Sequence, residues 1–245
     1  MGGELSKRSP YPENRFWTRV QKIHDIEKFR EKRQVFTDRF EAGEILGMML
    51  QSEYNHAEKG MILAIPSGGV PVGIKVSEIL GLPLDLLIVR KLQIPGNPEA
   101  GFGAMTLDGT AFYNEALLAE LHLSPAQIEA EKKRVAIELG KRNNAFRKGR
   151  PLSDLSGKQV ILVDDGLASG FTMLASIDMT KKAKARETVV AVPTAPQRSI
   201  DRILPEADEI YCANIRTTPY FAVAEAYRRW YDLSEKEVLD LLKKR

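Results

Sequence analysis

The sequence predicts an α/β fold with a mostly parallel, five-stranded sheet. Apolar segments of strand length alternate with segments of helical periodicity, and this order makes neighbouring strands run parallel. The chain has 245 residues, of which 43% are hydrophobic, so it can form one α/β domain with its own core. The predicted strands are residues 61–65, 84–89, 158–163, 188–192 and 209–213.

End signals and apolar spacing predict helices around this sheet. Ser124 and Pro125 suit the cap and the first position of a long helix, and Gly81 suits the end of a helix over residues 72–80. Further helices are predicted after Asp38, after the loop that ends at Thr172, and over residues 15–34 and 222–244. Near the C-terminus Tyr227, Trp230 and Tyr231 are expected to pack on the core.

The helix after Ser124 carries a run of basic side chains, with Arg142 among them. A solvated helix face explains this run best, and a border to an anionic site is the alternative. Residues 90–103 are rich in Gly and Pro and predict a long loop. A hairpin is predicted around Asp108-Gly109, and the domain itself is expected over residues 35–245, after an N-terminal extension of residues 1–34.

Composition excludes several functional classes. The 36 Lys and Arg residues against 33 Asp and Glu leave a net charge of only +3, which does not favour nucleic acid as a partner. Cys212 is the single cysteine, so neither an internal disulfide nor a cysteine metal site is expected. Without a visible signal peptide or an apolar run of about 18 residues, a cytoplasmic location and no membrane contact are predicted.

The third predicted strand ends in two adjacent acids, Asp164 and Asp165, and a loop of small residues follows. In an open parallel sheet, ligands bind beyond the carboxyl ends of the strands. Backbone N–H groups of a glycine-containing loop, with the hydroxyls of Ser169 and Thr172 and the start of the next helix, suit a phosphate. The carboxylates suit sugar hydroxyls, so the segment predicts a sugar-phosphate site. A strand end of the receiver-domain kind is the structural alternative.

Residues 160–172 resemble the phosphoribosyl-pyrophosphate motif of the type I phosphoribosyltransferases, with Ser169 where that motif usually has Thr. The resemblance implies the type I fold with a small variable hood. Ser67, Gly68 and Gly69 are similar to the family's pyrophosphate loop. Residues 89–98, with Arg90 and Lys91, are similar to the strand end and mobile loop of adenine and orotate phosphoribosyltransferases, which implies a lid over residues 93–103.

The resemblance implies a role for each of these residues. Asp164, Asp165, Arg90 and Lys91 are the expected catalytic residues, and Ser67, Gly68 and Gly69 are expected to bind pyrophosphate. Asp164 and Asp165 are also expected to hold Mg²⁺, directly or through water. The 5-phosphate is expected on Gly166, Leu167, Ala168, Ser169, Gly170, Phe171 and Thr172.

The layout of residues 35–242 is most similar to predicted phosphoribosyltransferases of unassigned substrate, on segments that include Asp38-Arg39-Phe40. The implied activity transfers the phosphoribosyl group to a nitrogenous base or small nucleophile, in a homodimer. Phe102, Phe112, Tyr113 and Tyr220 are candidates to stack on the acceptor, although core packing explains them equally well. The alternatives are a non-catalytic regulator with the same pocket and, less favoured, a phosphohydrolase or an amidotransferase-like module.

Overall fold

A computed structural model describes residues 22–244 and contains two sheets. The strands are β1 (Ile23–His24), β2 (Gly60–Ala64), β3 (Leu84–Leu86), β4 (Val89–Ile94), β5 (Asn97–Thr106), β6 (Ala111–Tyr113), β7 (Gln159–Val163), β8 (Glu187–Pro196) and β9 (Glu209–Arg216). The α-helices are α1 (Arg39–Tyr54), α2 (Gly69–Leu80), α3 (Glu115–Leu121), α4 (Pro125–Arg147), α5 (Phe171–Lys182), α6 (Gln197–Ile203) and α7 (Glu235–Lys243). Within this range no helix has the length and apolar composition that crossing a membrane requires.

The main sheet has the strand order β1-β9-β8-β7-β2-β3, and all neighbouring strands are parallel. The predicted parallel sheet is therefore confirmed. β2 and β7 are neighbours in register, with Ala64 opposite Val163, so the loops that follow them leave the same sheet edge side by side. This edge is where the sequence predicted a ligand site.

The predicted number of strands is wrong, because β1 adds a sixth strand through the pair Ile23 and Ile210. The helix predicted over residues 15–34 is also wrong over residues 22–34, where the chain forms β1 and a short 3₁₀ helix, Glu27–Phe29. Residues 15–21 lie outside the described residues. A strand of two residues is too short to show an apolar periodicity in the sequence. β1 forms only because β9 offers it an edge to pair with.

The segment predicted as a long loop, residues 90–103, forms strands instead. β4 and β5 pair antiparallel around a turn at Pro95 and Gly96, and β5 pairs with β6 in the predicted hairpin, with Ala104 opposite Phe112. Together with α3, this small sheet forms a hood beside the main sheet. The expected lid is thus an ordered hairpin rather than an irregular loop.

The C-terminal region is helical only in part. A 3₁₀ helix, Val223–Ala226, precedes an extended segment, and α7 begins after Ser234, which forms a capping box with Glu237. In the extended segment Tyr227 is buried as predicted, whereas Tyr231 is 56% exposed and does not pack on the core. We call residues 227–233 the C-terminal strap.

Both faces of the main sheet are covered, so its strands are apolar on both sides. Ile62 and Ile161 belong to the apolar cluster shared with α1 and α2, whereas Leu63 and Leu162 belong to the one shared with α5 and α6. Buried on both faces, the strands hold the loops at their carboxyl ends in a fixed arrangement.

Candidate active site

The loop after β7 presents unused hydrogen-bond donors. Within residues 22–244, the backbone N–H groups of residues 168–173 have no hydrogen-bond partner, and Leu174 N is the first to bond back, to Gly170 O at 2.9 Å. Gly170 has a φ of 84° and gives α5 no side-chain cap. Of the seven α-helices within residues 22–244, α1, α3, α4 and α7 have side-chain caps, whereas α2, α5 and α6, which follow the carboxyl ends of β2, β7 and β8, do not. Free N–H groups at a helix start form a site for an anion.

The acid pair lies directly before this loop. Asp165 Oδ2 accepts a hydrogen bond from Arg39 Nε at 2.8 Å, and these two side chains are 15% and 8% exposed. Burial and the negative charge of Asp165 raise the pKa of Asp164 well above its ordinary value. Burial also raises the pKa of Asp165, while Arg39 opposes that rise. The pair is thus short of positive charge, which suits hydroxyl donors or a cation.

The loop after β2 contacts the acid pair. A Cβ placed on Gly68 would lie 1.9 Å from Asp165 Oδ2, and one on Gly69 would lie 2.7 Å from the Val163 carbonyl oxygen. Only glycine allows this approach at either position. The Pro66–Ser67 peptide bond in the same loop is cis.

Basic side chains from the hood and from α4 form the next wall. Arg90 and Lys91 lie on β4, and Arg90 Nη2 donates to Glu138 Oε2 at 3.2 Å. Arg142, on α4, donates to Ser67 Oγ at 3.2 Å. The interpretation of the basic run on α4 as a solvated face is therefore wrong for Arg142.

These walls enclose a cavity of about 650 Å³. Of the predicted site residues, only Gly69 does not line it; Gly69 instead begins α2 against the end of β7. The lining residues that the sequence predicted are Ser67, Gly68, Arg90, Lys91, Asp164, Asp165 and all seven residues from Gly166 to Thr172. One cavity thus brings together three segments that are far apart in the sequence.

Arg39 is a site residue that the sequence analysis did not identify. Besides Asp165, it donates to the Tyr231 carbonyl oxygen at 2.9 Å, and its guanidinium carbon lies 3.9 Å from the Trp230 ring centroid. Tyr227 Oη donates to the Asp165 carbonyl oxygen at 2.6 Å. Arg39 therefore connects α1, the acid pair and the C-terminal strap. The sequence contains the dipeptide Asp38-Arg39 at the start of a helix, but this pattern indicates only that Asp38 caps the helix. It does not indicate that Arg39 reaches the acid pair.

The aromatic residues proposed for acceptor stacking do not line the cavity. Phe102 is fully buried in the hood and lies parallel to Tyr113, with 6.3 Å between ring centroids, and Tyr220 is 88% exposed. The strap residues Trp230 and Asp232 line the cavity instead. Acceptor recognition on the four proposed aromatic residues is thus not supported.

Comparison with known proteins agrees with this arrangement. The family model of the phosphoribosyl transferase domain matches residues 40–229. A Mycobacterium tuberculosis (strain H37Rv) protein named "Putative phosphoribosyl transferase" is 37% identical over 211 residues, which is 85% of this chain and 46% of that protein. The chain therefore spans about half the length of the curated relative it matches.

A solved structure extends the comparison to the fold. The protein TT1426 from Thermus thermophilus is 32% identical, with a TM-score of 0.70 over 85% of this chain and 98% of that one. The family match covers β2, β7, β8 and β9 and both loops at the cavity. The chain belongs to the phosphoribosyl transferase domain family.

Proposed function

We propose that the chain binds phosphoribosyl pyrophosphate in this cavity and transfers the phosphoribosyl group to a nitrogenous base or small nucleophile, releasing pyrophosphate. The observation that carries the proposal is the cavity itself. It places the free N–H groups of residues 168–173, the acid pair and the basic side chains of β4 around one space. These are the groups that a 5-phosphate, a ribose and a pyrophosphate each require.

In the proposed complex, the N–H groups of the loop and the hydroxyls of Ser169 and Thr172 donate to the 5-phosphate. Asp164 and Asp165 accept from the ribose hydroxyls. The backbone of the loop Ser67–Gly69 holds the pyrophosphate, with Arg90 and Lys91 beside it.

The transferred ribose carries positive charge as its bond to pyrophosphate breaks, and pyrophosphate gains negative charge. The acid pair stabilises the positive charge on the ribose, and Arg90 and Lys91 stabilise the negative charge on the pyrophosphate. No side chain needs to form a covalent bond, so positioning and charge supply most of the rate. The hood hairpin β4–β5 carries Arg90 and Lys91, and closing it on the substrate would exclude water.

Magnesium fits this site as a partner of the substrate. Residues 22–244 hold no group of three or more His, Cys, Asp or Glu side chains arranged for a metal ion. Two buried carboxylates with raised pKa values nevertheless favour a nearby cation. Asp164 and Asp165 would hold the ion directly or through water, with substrate oxygens as the other ligands, and its charge would neutralise the pyrophosphate.

The test is calorimetric titration of the purified chain with phosphoribosyl pyrophosphate, with and without Mg²⁺, followed by mass spectrometry with a panel of bases. Binding together with base-dependent nucleotide formation supports the transferase. Binding without pyrophosphate release across the panel supports the regulator. Failure to bind phosphoribosyl pyrophosphate contradicts the proposal.

The predicted homodimer is part of the proposal, and sedimentation equilibrium measures it. Transfer to a nitrogenous base or small nucleophile and the cytoplasmic location stay predictions from the sequence and its family resemblance.

A further inference from the structure

Arg142 differs from the other basic residues around it on α4. Its neighbour Lys141 is exposed, whereas Arg142 is half-buried and lines the cavity. Its Nη2 donates to Ser67 Oγ at 3.2 Å, and its guanidinium carbon lies 5.2 Å from the Phe146 ring centroid. The side chain therefore points from the helix towards the loop after β2.

The charge of Arg142 is only partly balanced within residues 22–244, because Glu138 and Glu235 attract it without forming an ion pair. Two nearby arginines do have acidic partners. The buried Arg147 pairs with Asp85 at 2.6 Å, and the more exposed Arg90 pairs with Glu138 at 3.2 Å. No carboxylate of the described residues forms an ion pair with Arg142. Burial and the positive charge of Arg90 lower the pKa of Arg142 from its ordinary value.

A half-buried cation that has no ion-pair partner and lies beside a second cation is unfavourable unless an anion joins them. The position of Arg142 indicates which anion. Its hydrogen bond goes to the first residue of the loop Ser67–Gly69, and not to the loop that carries the free N–H groups of residues 168–173. A guanidinium also offers a planar pair of donors, which matches two phosphate oxygens.

We propose that Arg142 binds the pyrophosphate group of phosphoribosyl pyrophosphate, together with Arg90 and the loop Ser67–Gly69. The inference rests on the proposed function and adds to it a substrate-binding residue on α4. Arg142 makes this contact in the ground state and as negative charge grows on the departing pyrophosphate. Ligands that lack the pyrophosphate group do not use it.

The experiment compares Arg142→Gln and Arg142→Lys with the matched control Lys141→Gln, which removes the same charge from the exposed neighbour. Calorimetry with Mg²⁺ measures the Kd of phosphoribosyl pyrophosphate, of inorganic pyrophosphate and of ribose 5-phosphate for the parent chain and for each variant. We expect Arg142→Gln to weaken the first two by about 10- to 100-fold, the range for a hydrogen bond to a charged group. The Kd of Arg142→Gln for ribose 5-phosphate should stay within about twofold of the parent's, and so should every Kd of Lys141→Gln. Arg142→Lys keeps the charge and should recover part of the lost affinity.

A variant that still binds ribose 5-phosphate is folded. If Arg142→Gln does not fold, the same three Kd values are compared between Arg142→Lys and the parent. The inference is overturned if Arg142→Gln binds phosphoribosyl pyrophosphate as the parent does, or if it loses both phosphorylated sugars equally. A parent chain that binds ribose 5-phosphate but not phosphoribosyl pyrophosphate refutes the proposed function as well. A parent that binds both, with an unaffected Arg142→Gln variant, refutes only the role of Arg142.

Discussion

Gly68→Ala tests whether the contact between the two loops builds the site. The new Cβ would lie 1.9 Å from Asp165 Oδ2 and 2.3 Å from Asp165 Cγ. One side of the contact must therefore move by about 1.5 Å before ordinary van der Waals distance is reached. Asp165 cannot yield freely, because Arg39 holds its carboxylate at 2.8 Å.

The expected cost has two parts. Overpacking of this kind destabilises a protein by about 2 kcal/mol, which in a chain of this size lowers Tm by about 4 to 8 °C. A displacement of about 1 Å at the carboxylate is also expected to break its hydrogen bonds to phosphoribosyl pyrophosphate and to weaken binding by about 10- to 100-fold, the range for a hydrogen bond to a charged group. Differential scanning calorimetry measures the first effect and isothermal titration the second.

Gly140→Ala is the matched control. Gly140 lies inside α4 and a Cβ there meets nothing within 4 Å, so alanine should stabilise the chain by about 0.5 to 1 kcal/mol and leave binding unchanged. The two substitutions add the same methyl group and are expected to shift Tm in opposite directions. If Gly68→Ala kept the parent's Tm and affinity, the close approach of the two loops would be refuted.

Three further substitutions test the charges of the site and of its scaffold. Asp165→Asn keeps the shape of the side chain but removes its charge, so Mg²⁺-dependent binding of phosphoribosyl pyrophosphate should fall by about 10- to 100-fold while circular dichroism stays unchanged; parental affinity would contradict the site assignment. Burial and Asp165 raise the pKa of Asp164, so the folded chain retains a proton that the unfolded chain releases above about pH 3.9. Stability therefore falls as pH rises from there towards the raised pKa, and urea unfolding of Asp164→Asn should show a shallower fall, whereas equal slopes would disprove the coupling. Burial opposes ionisation of Asp85, but hydrogen bonds and Arg147 lower its pKa overall, so its stabilising contribution is present above its ordinary pKa and is lost as pH falls through the lowered value. Asp85→Asn leaves Arg147 buried without its charge partner and should cost about 3 kcal/mol at pH 7 by urea midpoint, and a cost below about 1 kcal/mol would show that the pair is not needed.

The Gly and Pro content of residues 90–103 led to the wrong prediction of a long loop. Such residues usually mark loops, yet in this chain they lie within β4 and β5. A Cβ on Gly101 would lie 2.3 Å from Lys91 Cγ, and one on Gly103 would lie 2.4 Å from the Phe112 carbonyl oxygen. The glycines therefore allow close packing between strands, and that need is visible only when the partner strand is known.

The sequence by itself determined the parts of this protein that depend on residues close together in the chain. The acid pair with its small-residue loop, the Ser67–Gly69 loop and the caps at Asp38, Ser124 and Ser234 are local patterns, because backbone geometry and hydrogen bonding within a few residues explain them. The alternation of apolar strands and helices predicted the parallel sheet for the same reason.

Only the tertiary structure decided which distant side chains complete the site. Arg39 lies 126 positions from Asp165, and Arg142 lies 75 positions from Ser67. Neither arginine has a neighbour in the sequence that indicates its partner, and on its helix each resembles an ordinary surface charge. Packing of α1 against the main sheet and of α4 against the hood strands β4 and β5 selects the face that each helix turns to the cavity. The energy of burying these charges therefore depends on contacts that no local pattern encodes.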